Sequence, residues 1–148
     1  MSEYSHTFPD GTVKWFNIEH QLSRSGDEPA IIRPAGGREW WHNGQRHRDG
    51  DKPAIIYGDG TQFFYKNGVR HRDGDQPAIT YPNGMMEYWV NGKLTRGNDK
   101  PAVYHGDGGM EWWMDGVYHR ENGQPAVMKS DGTMEYWSHG EFSMITKM

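Results

Sequence analysis

A proline-alanine pair begins at residues 29, 53, 77, 101 and 125, a spacing of 24 residues held without slippage. The clearest copy of the unit, residues 77–100, reads PAITYPNGMMEYWVNGKLTRGNDK. Self-similarity at a fixed period of roughly 20–50 residues marks a repeat architecture, in which each unit covers the hydrophobic face of its neighbour. A chain built this way is expected to grow by adding equivalent elements, not by closing around one irregular core.

Two glycine columns punctuate the unit. One runs Gly36, Gly60, Gly84, Gly108, Gly132, and the other Gly44, Gly68, Gly92, Gly116, Gly140. The second follows Asn43, Asn67, Asn91, Asp115 and His139, and Asn-Gly or Asp-Gly is the chemistry of a two-residue hairpin turn with φ > 0. Between the turns lie runs of strand length, Ala78-Ile79-Thr80-Tyr81 and Met85-Met86-Glu87-Tyr88-Trp89, rich in β-branched and aromatic residues. No stretch carries helical periodicity of useful length. A translational repeat within one antiparallel sheet needs an even number of strands, so the pattern predicts two per unit and a loop from the Asn-Gly turn to the next proline. With strands ~4.8 Å apart, each unit advances ~10 Å. The expected fold is all-β: an elongated antiparallel repeat sheet of five 24-residue repeats with a partial terminal unit, a stacked β-solenoid being the alternative. Residues 1–9 read as a lead-in, 10–140 as one repeat domain and 141–148 as a tail.

Composition narrows the function classes. Aromatics make up 14% of the 148 residues, too many for a disordered chain, although overall apolar content is only 34%. The net charge of −4, with no basic block, argues against nucleic acid or anionic lipid as partners. There is no cysteine, which removes disulfide and thiolate chemistry, and no apolar run approaches a membrane span. A cytoplasmic location is the expectation.

The run Tyr88-Trp89-Val90-Asn91-Gly92, followed by Pro101-Ala102-Val103-Tyr104 and Asp107-Gly108, resembles the MORN-type repeat. Residues 41–60, WHNGQRHRDGDKPAIIYGDG, and 113–132, WMDGVYHRENGQPAVMKSDG, resemble a divergent version found in bacteriophage and giant-virus proteins. The likeness extends from about Asp10 to Gly140. It departs from the MORN pattern at Arg48, Arg72 and Arg120, where glycine would follow histidine, and at the Pro-Ala pair, which replaces a later glycine. The resemblance implies a β-hairpin array that acts as a binding or assembly scaffold, in the host cytoplasm if the protein is viral.

Three columns are candidates for function. Alternation along the Glu-Tyr-Trp segment assigns Met86, Tyr88 and Val90 to a core face and Glu87 and Trp89 to the other. Trp41, Tyr65, Trp89, Trp113 and Trp137 then form a ladder, with Glu87 and Glu111 among the carboxylates beside it. Such a ladder suits a groove for a partner protein, and equally suits packing of the rings along the array. The second column, Arg24, Arg48, Arg72, Arg96 and Arg120, offers guanidinium forks for anions. Alternatively each arginine pins its loop through the Glu39-type carboxylate or through Asp27, Asp51, Asp75 or Asp99. The third column holds His47, His71 and His119 with Thr95 interrupting it, a spacing unsuited to a zinc site. No catalytic grouping, metal site or cofactor motif stands out, so an enzyme is not expected. The leading expectation is a protein-binding module or scaffold, specialised to interfere with a host component if viral. A nucleotide-binding or sequestering protein is the second expectation, and a structural homo-oligomer the third.

Overall fold

The computed structural model describes residues 2–148. It is all-β, with no helix among the described residues, and every strand pairing described is antiparallel. The antiparallel repeat sheet therefore holds, and the stacked solenoid, whose turns would pair in parallel, does not. Contacts divide the chain into two compact units, the first ending at His71 and the second running from Arg72 to Met148. A chain whose repeats contact only their neighbours has no single centre.

In the first unit the main-sheet order is Tyr4–Thr7, Val13–Phe16, Ile31–Ile32, Arg38–Glu39, Ile55–Ile56 and Gln62–Phe63. Two side hairpins leave it, Trp41–His42 with Gln45–Arg46 and Tyr65–Lys66 with Val69–Arg70. The second unit repeats the plan. Its order is Ile79–Thr80, Met86–Glu87, Val103–Tyr104, Met110–Glu111, Val127–Met128, Thr133–Ser138 and Glu141–Lys147. Its side hairpins are Trp89–Val90 with Lys93–Leu94, and Trp113–Met114 with Val117–Tyr118.

Each repeat thus gives two strands to the main sheet, as predicted, and then a second hairpin where a loop is expected. The hairpin turns have the backbone that two-residue turns of this hand require, with φ of 50° at Asn91 and 79° at Gly92. The lead-in and tail also become strands: Tyr4–Thr7 pairs with Val13–Phe16, and Glu141–Lys147 pairs with Thr133–Ser138.

The expected continuous Glu-Tyr-Trp strand is broken at its middle residue. Tyr88 donates its backbone N–H to the Ala102 carbonyl at 2.8 Å, while its own carbonyl accepts from Thr95, in its own hairpin, at 3.1 Å. Trp40 and Trp112 divide their bonds in the same way, to Ala54 and His47 and to Ala126 and His119. This pivot corrects the simple alternation. Glu87 lies opposite both Ile79 and Val103, so the glutamate column shares a face with the buried Ile31, Ile55, Ile79, Val103, Val127 row. Of the expected core residues Tyr88 is buried, Met86 is half-buried and Val90 is 41% exposed.

Both faces are covered, which explains the alanines. Ala30, Ala54, Ala78, Ala102 and Ala126 are all 0% exposed, each donating to the carbonyl of its own repeat's second strand at 2.8–2.9 Å. A side chain larger than a methyl has no volume to enter there. Ala102→Leu is accordingly expected to destabilise the fold by about 1–3 kcal/mol through overpacking. The check is the urea midpoint at unchanged m-value.

Candidate functional site

On the Ala-aromatic face each arginine builds a clamp between repeats. The Arg48 guanidinium lies 3.7 Å from the Trp40 ring centroid, and its Nη1 donates to the Pro53 carbonyl at 3.2 Å. Its Nε and Nη2 grip Asp27 at 2.8 and 3.3 Å, where Lys52 adds a third donor at 2.8 Å. Trp40 Nε1 donates to the Asp27 carbonyl, which ties the aspartate's backbone down as well. Arg96 does the same over Tyr88 with Pro101, Asp75 and Lys100, and Arg120 over Trp112 with Pro125 and Asp99. Arg72 donates to the Pro77 carbonyl, and Arg24 to that of Pro29 from above Trp15. Arg48, Arg96 and Arg120 therefore pin loops through Asp27, Asp75 and Asp99, not through the Glu39-type carboxylates, and Arg24 meets Glu28 instead. Hydrogen bonds from Arg48 and then Lys52 hold the Asp27 carboxyl far below the usual carboxylate range, and Arg96 and Lys100 do so for Asp75.

The opposite face carries the aromatic ladder. Trp113 Nε1 donates to Glu111 Oε2 at 2.7 Å, and Tyr118 adds its hydroxyl at 3.3 Å. His105 Nε2 lies 2.7 Å from Glu111 Oε1. Glu39 receives Arg33, Trp41 and Arg46; Glu87 receives Tyr81 and Trp89; Glu135 receives Lys129 and Trp137. Every one of these glutamates anchors the indole two residues on, so the rings are fixed in place. Within the second unit the rings continue from repeat to repeat. Centroids are 3.9 Å apart for Trp113–Tyr118, 5.3 Å for Tyr118–Trp137 and 5.2 Å for Trp137–Phe142. Burial, with the Glu111 charge next, pushes the Tyr118 hydroxyl up to about 12. Trp41, Tyr65, Trp89, Trp113 and Trp137 are all half-buried, packed on one side and open on the other.

The histidine column joins neighbouring hairpins. His47 Nδ1 accepts the Asn67 backbone N–H and His119 Nδ1 that of His139, each at 3.0 Å. A ring nitrogen that accepts carries no proton, so the N–H sits on Nε2, directed at Asp49 in one case and Glu121 in the other. Ser23 plays the same part with its hydroxyl for Asn43.

Two further columns belong to the ladder and escape notice in the sequence: Arg33, Tyr57, Tyr81, His105, Lys129 and Arg46, Arg70, Leu94, Tyr118, Phe142. Both keep the 24-residue spacing, but their residue types vary, because several chemistries satisfy a carboxylate or cover a ring. Spacing alone is the signal that would find them. No family model matches the chain, and no curated protein matches it.

The clamp has a pH signature. A carboxyl held below its ordinary value of 3.8 stabilises the fold fully above that pH and loses its contribution as the pH falls towards its folded-state value. Asp75 is 44% exposed, so solvent screening limits its pairs to about 1 kcal/mol. Asp75→Asn is expected to lower stability by that amount at neutral pH, with the deficit shrinking below pH 3.8. Chemical denaturation of both proteins across that range measures it.

Proposed function

We propose that this chain is a protein-binding repeat module of the MORN type, engaging its partner through the aromatic ladder. The observation that carries this reading is the state of the tryptophans. Each indole is oriented by a glutamate and packed on one side, yet the rings stay half-open along the face. Rigid, amphipathic rings of this kind provide contact area at little entropic cost. The nucleotide reading loses its main support, because Arg48, Arg96 and Arg120 direct their forks to Asp27, Asp75 and Asp99, respectively, within the fold.

Affinity capture with the tagged protein tests the proposal. A partner retained by the parent is expected to be lost, with binding weakened more than about tenfold, in Trp113→Ala and Trp137→Ala. The parent's far-UV spectrum must be kept. Equal capture by both folded variants would sink the ladder as the binding surface.

A second reading has its own observation. The Glu141–Lys147 strand exposes Phe142 by 53%, Met144 by 49% and Ile145 by 58%, an edge suited to pairing with another chain. If the protein associates with itself there, light scattering gives a multiple of 17.1 kDa that Ile145→Lys returns to one.

A further inference from the structure

In the first unit the ladder face departs from its own pattern. Residues opposite one another in antiparallel pairs point to one side, so Lys14, opposite Ile31, shares the face of Glu39, also opposite Ile31. Lys14 thus occupies the place of a glutamate. One repeat further, Phe63 occupies it opposite Ile55. Phe63 meets the Tyr57 ring at 5.2 Å, and Tyr65, replacing a tryptophan, has no indole N–H to anchor. The face therefore carries Lys14, Arg33 and Arg46, with Asp10 near Lys14 and Glu39 shared by Arg33 and Arg46. On the corresponding face of the second unit Glu87, Glu111 and Glu135 outnumber Lys129.

Arg46 is the centre of this imbalance. Its guanidinium lies between two rings, 4.7 Å from the Trp41 centroid and 5.6 Å from that of Tyr65. Its Nε reaches Glu39 Oε2 at 3.4 Å, but Arg33 binds the other oxygen of that carboxylate at 2.7 Å. The terminal nitrogens of Arg46 have no partner among the described residues, and the side chain is 38% exposed. A guanidinium held between aromatic walls presents a planar fork already oriented for a carboxylate. The glutamate that fills the equivalent place in other repeats is missing beside it.

We propose that this face of the first unit binds an acidic segment of the partner polypeptide, with a carboxylate seated on Arg46. The inference rests on the protein-binding reading and names the chemistry of the partner.

The probe is fluorescein-labelled hexaglutamate, followed by anisotropy at low salt, with hexaglutamine as the control. Hexaglutamate is expected to bind and hexaglutamine not to. Arg46→Gln should weaken binding about tenfold, the loss of one charge-assisted pair. Phe63→Glu places a carboxylate beside Arg46, as other repeats do, and should abolish binding while the thermal transition is kept. Binding that survives Phe63→Glu, or no preference over hexaglutamine, overturns the proposal. Preferential displacement by tripolyphosphate, still dependent on Arg46, would assign the site to phosphate and overturn the peptide. Because this assay reads only the first unit's charge, its failure leaves partner loss in Trp113→Ala standing as separate support for the ladder.

Discussion

Strands of two residues cannot hold a sheet together by their own ladders, and the arginine clamp supplies what they lack. In Arg48, Arg96 and Arg120 one planar cation is stacked on an aromatic ring of its own repeat, bonded to the carbonyl of the proline that starts the next, and paired with an aspartate of the preceding one. Three successive repeats are linked through a single side chain. The group is well suited to the role: a guanidinium keeps its charge, loses little hydration on stacking, and has donors enough to satisfy a carbonyl and a carboxylate at once. Lysine reaches one of these partners at a time, and Lys52 and Lys100 indeed add only a supporting bond to the same aspartates.

With the repeats tied together on one face, the other is built on different chemistry. There the glutamates sit beside a row of isoleucine and valine, Glu39 only 4% exposed, and their charge is compensated by indole, hydroxyl, imidazole or guanidinium donors from two variable columns. Each carboxylate orients the next tryptophan, so a buried polar group determines how an exposed aromatic is presented. Variation in those columns changes the character of the face without changing its frame. It is cationic around Trp41 and Tyr65 and acidic around Trp113 and Trp137. The surface side chains thus vary over a constant backbone.

The last repeat shows what the clamp does by its absence. Met144 stands where the next arginine would fall, and Gly123 stands where its aspartate would be. There the strand is not divided in two. Thr133–Ser138 runs unbroken beside Glu141–Lys147, and a register shift at Tyr136/Trp137 takes the place of the pivot. The separate side hairpin thus accompanies the clamp, and both end together.

The period, the antiparallel hairpins and their turns are legible in the residues alone, because these depend on local chemistry: glycine and asparagine at positive φ, proline at strand starts, β-branched and aromatic runs between them. The 24-residue spacing also marks the arginine and tryptophan columns and sets a glutamate two residues before each of Trp41, Trp89, Trp113 and Trp137. What those columns face depends on how the repeats pack. Tyr88 and its equivalents send the N–H to one neighbour and the carbonyl to another, a division that no residue type announces. That pivot turns an apparent strand into two, puts the glutamates among the aliphatic row and makes a second hairpin of an apparent loop. The arginine-aspartate pairs lie 21 residues apart and fall within reach only once neighbouring repeats are stacked. Their partners depend on the packing of one repeat against the next, which the spacing of residues along the chain does not contain.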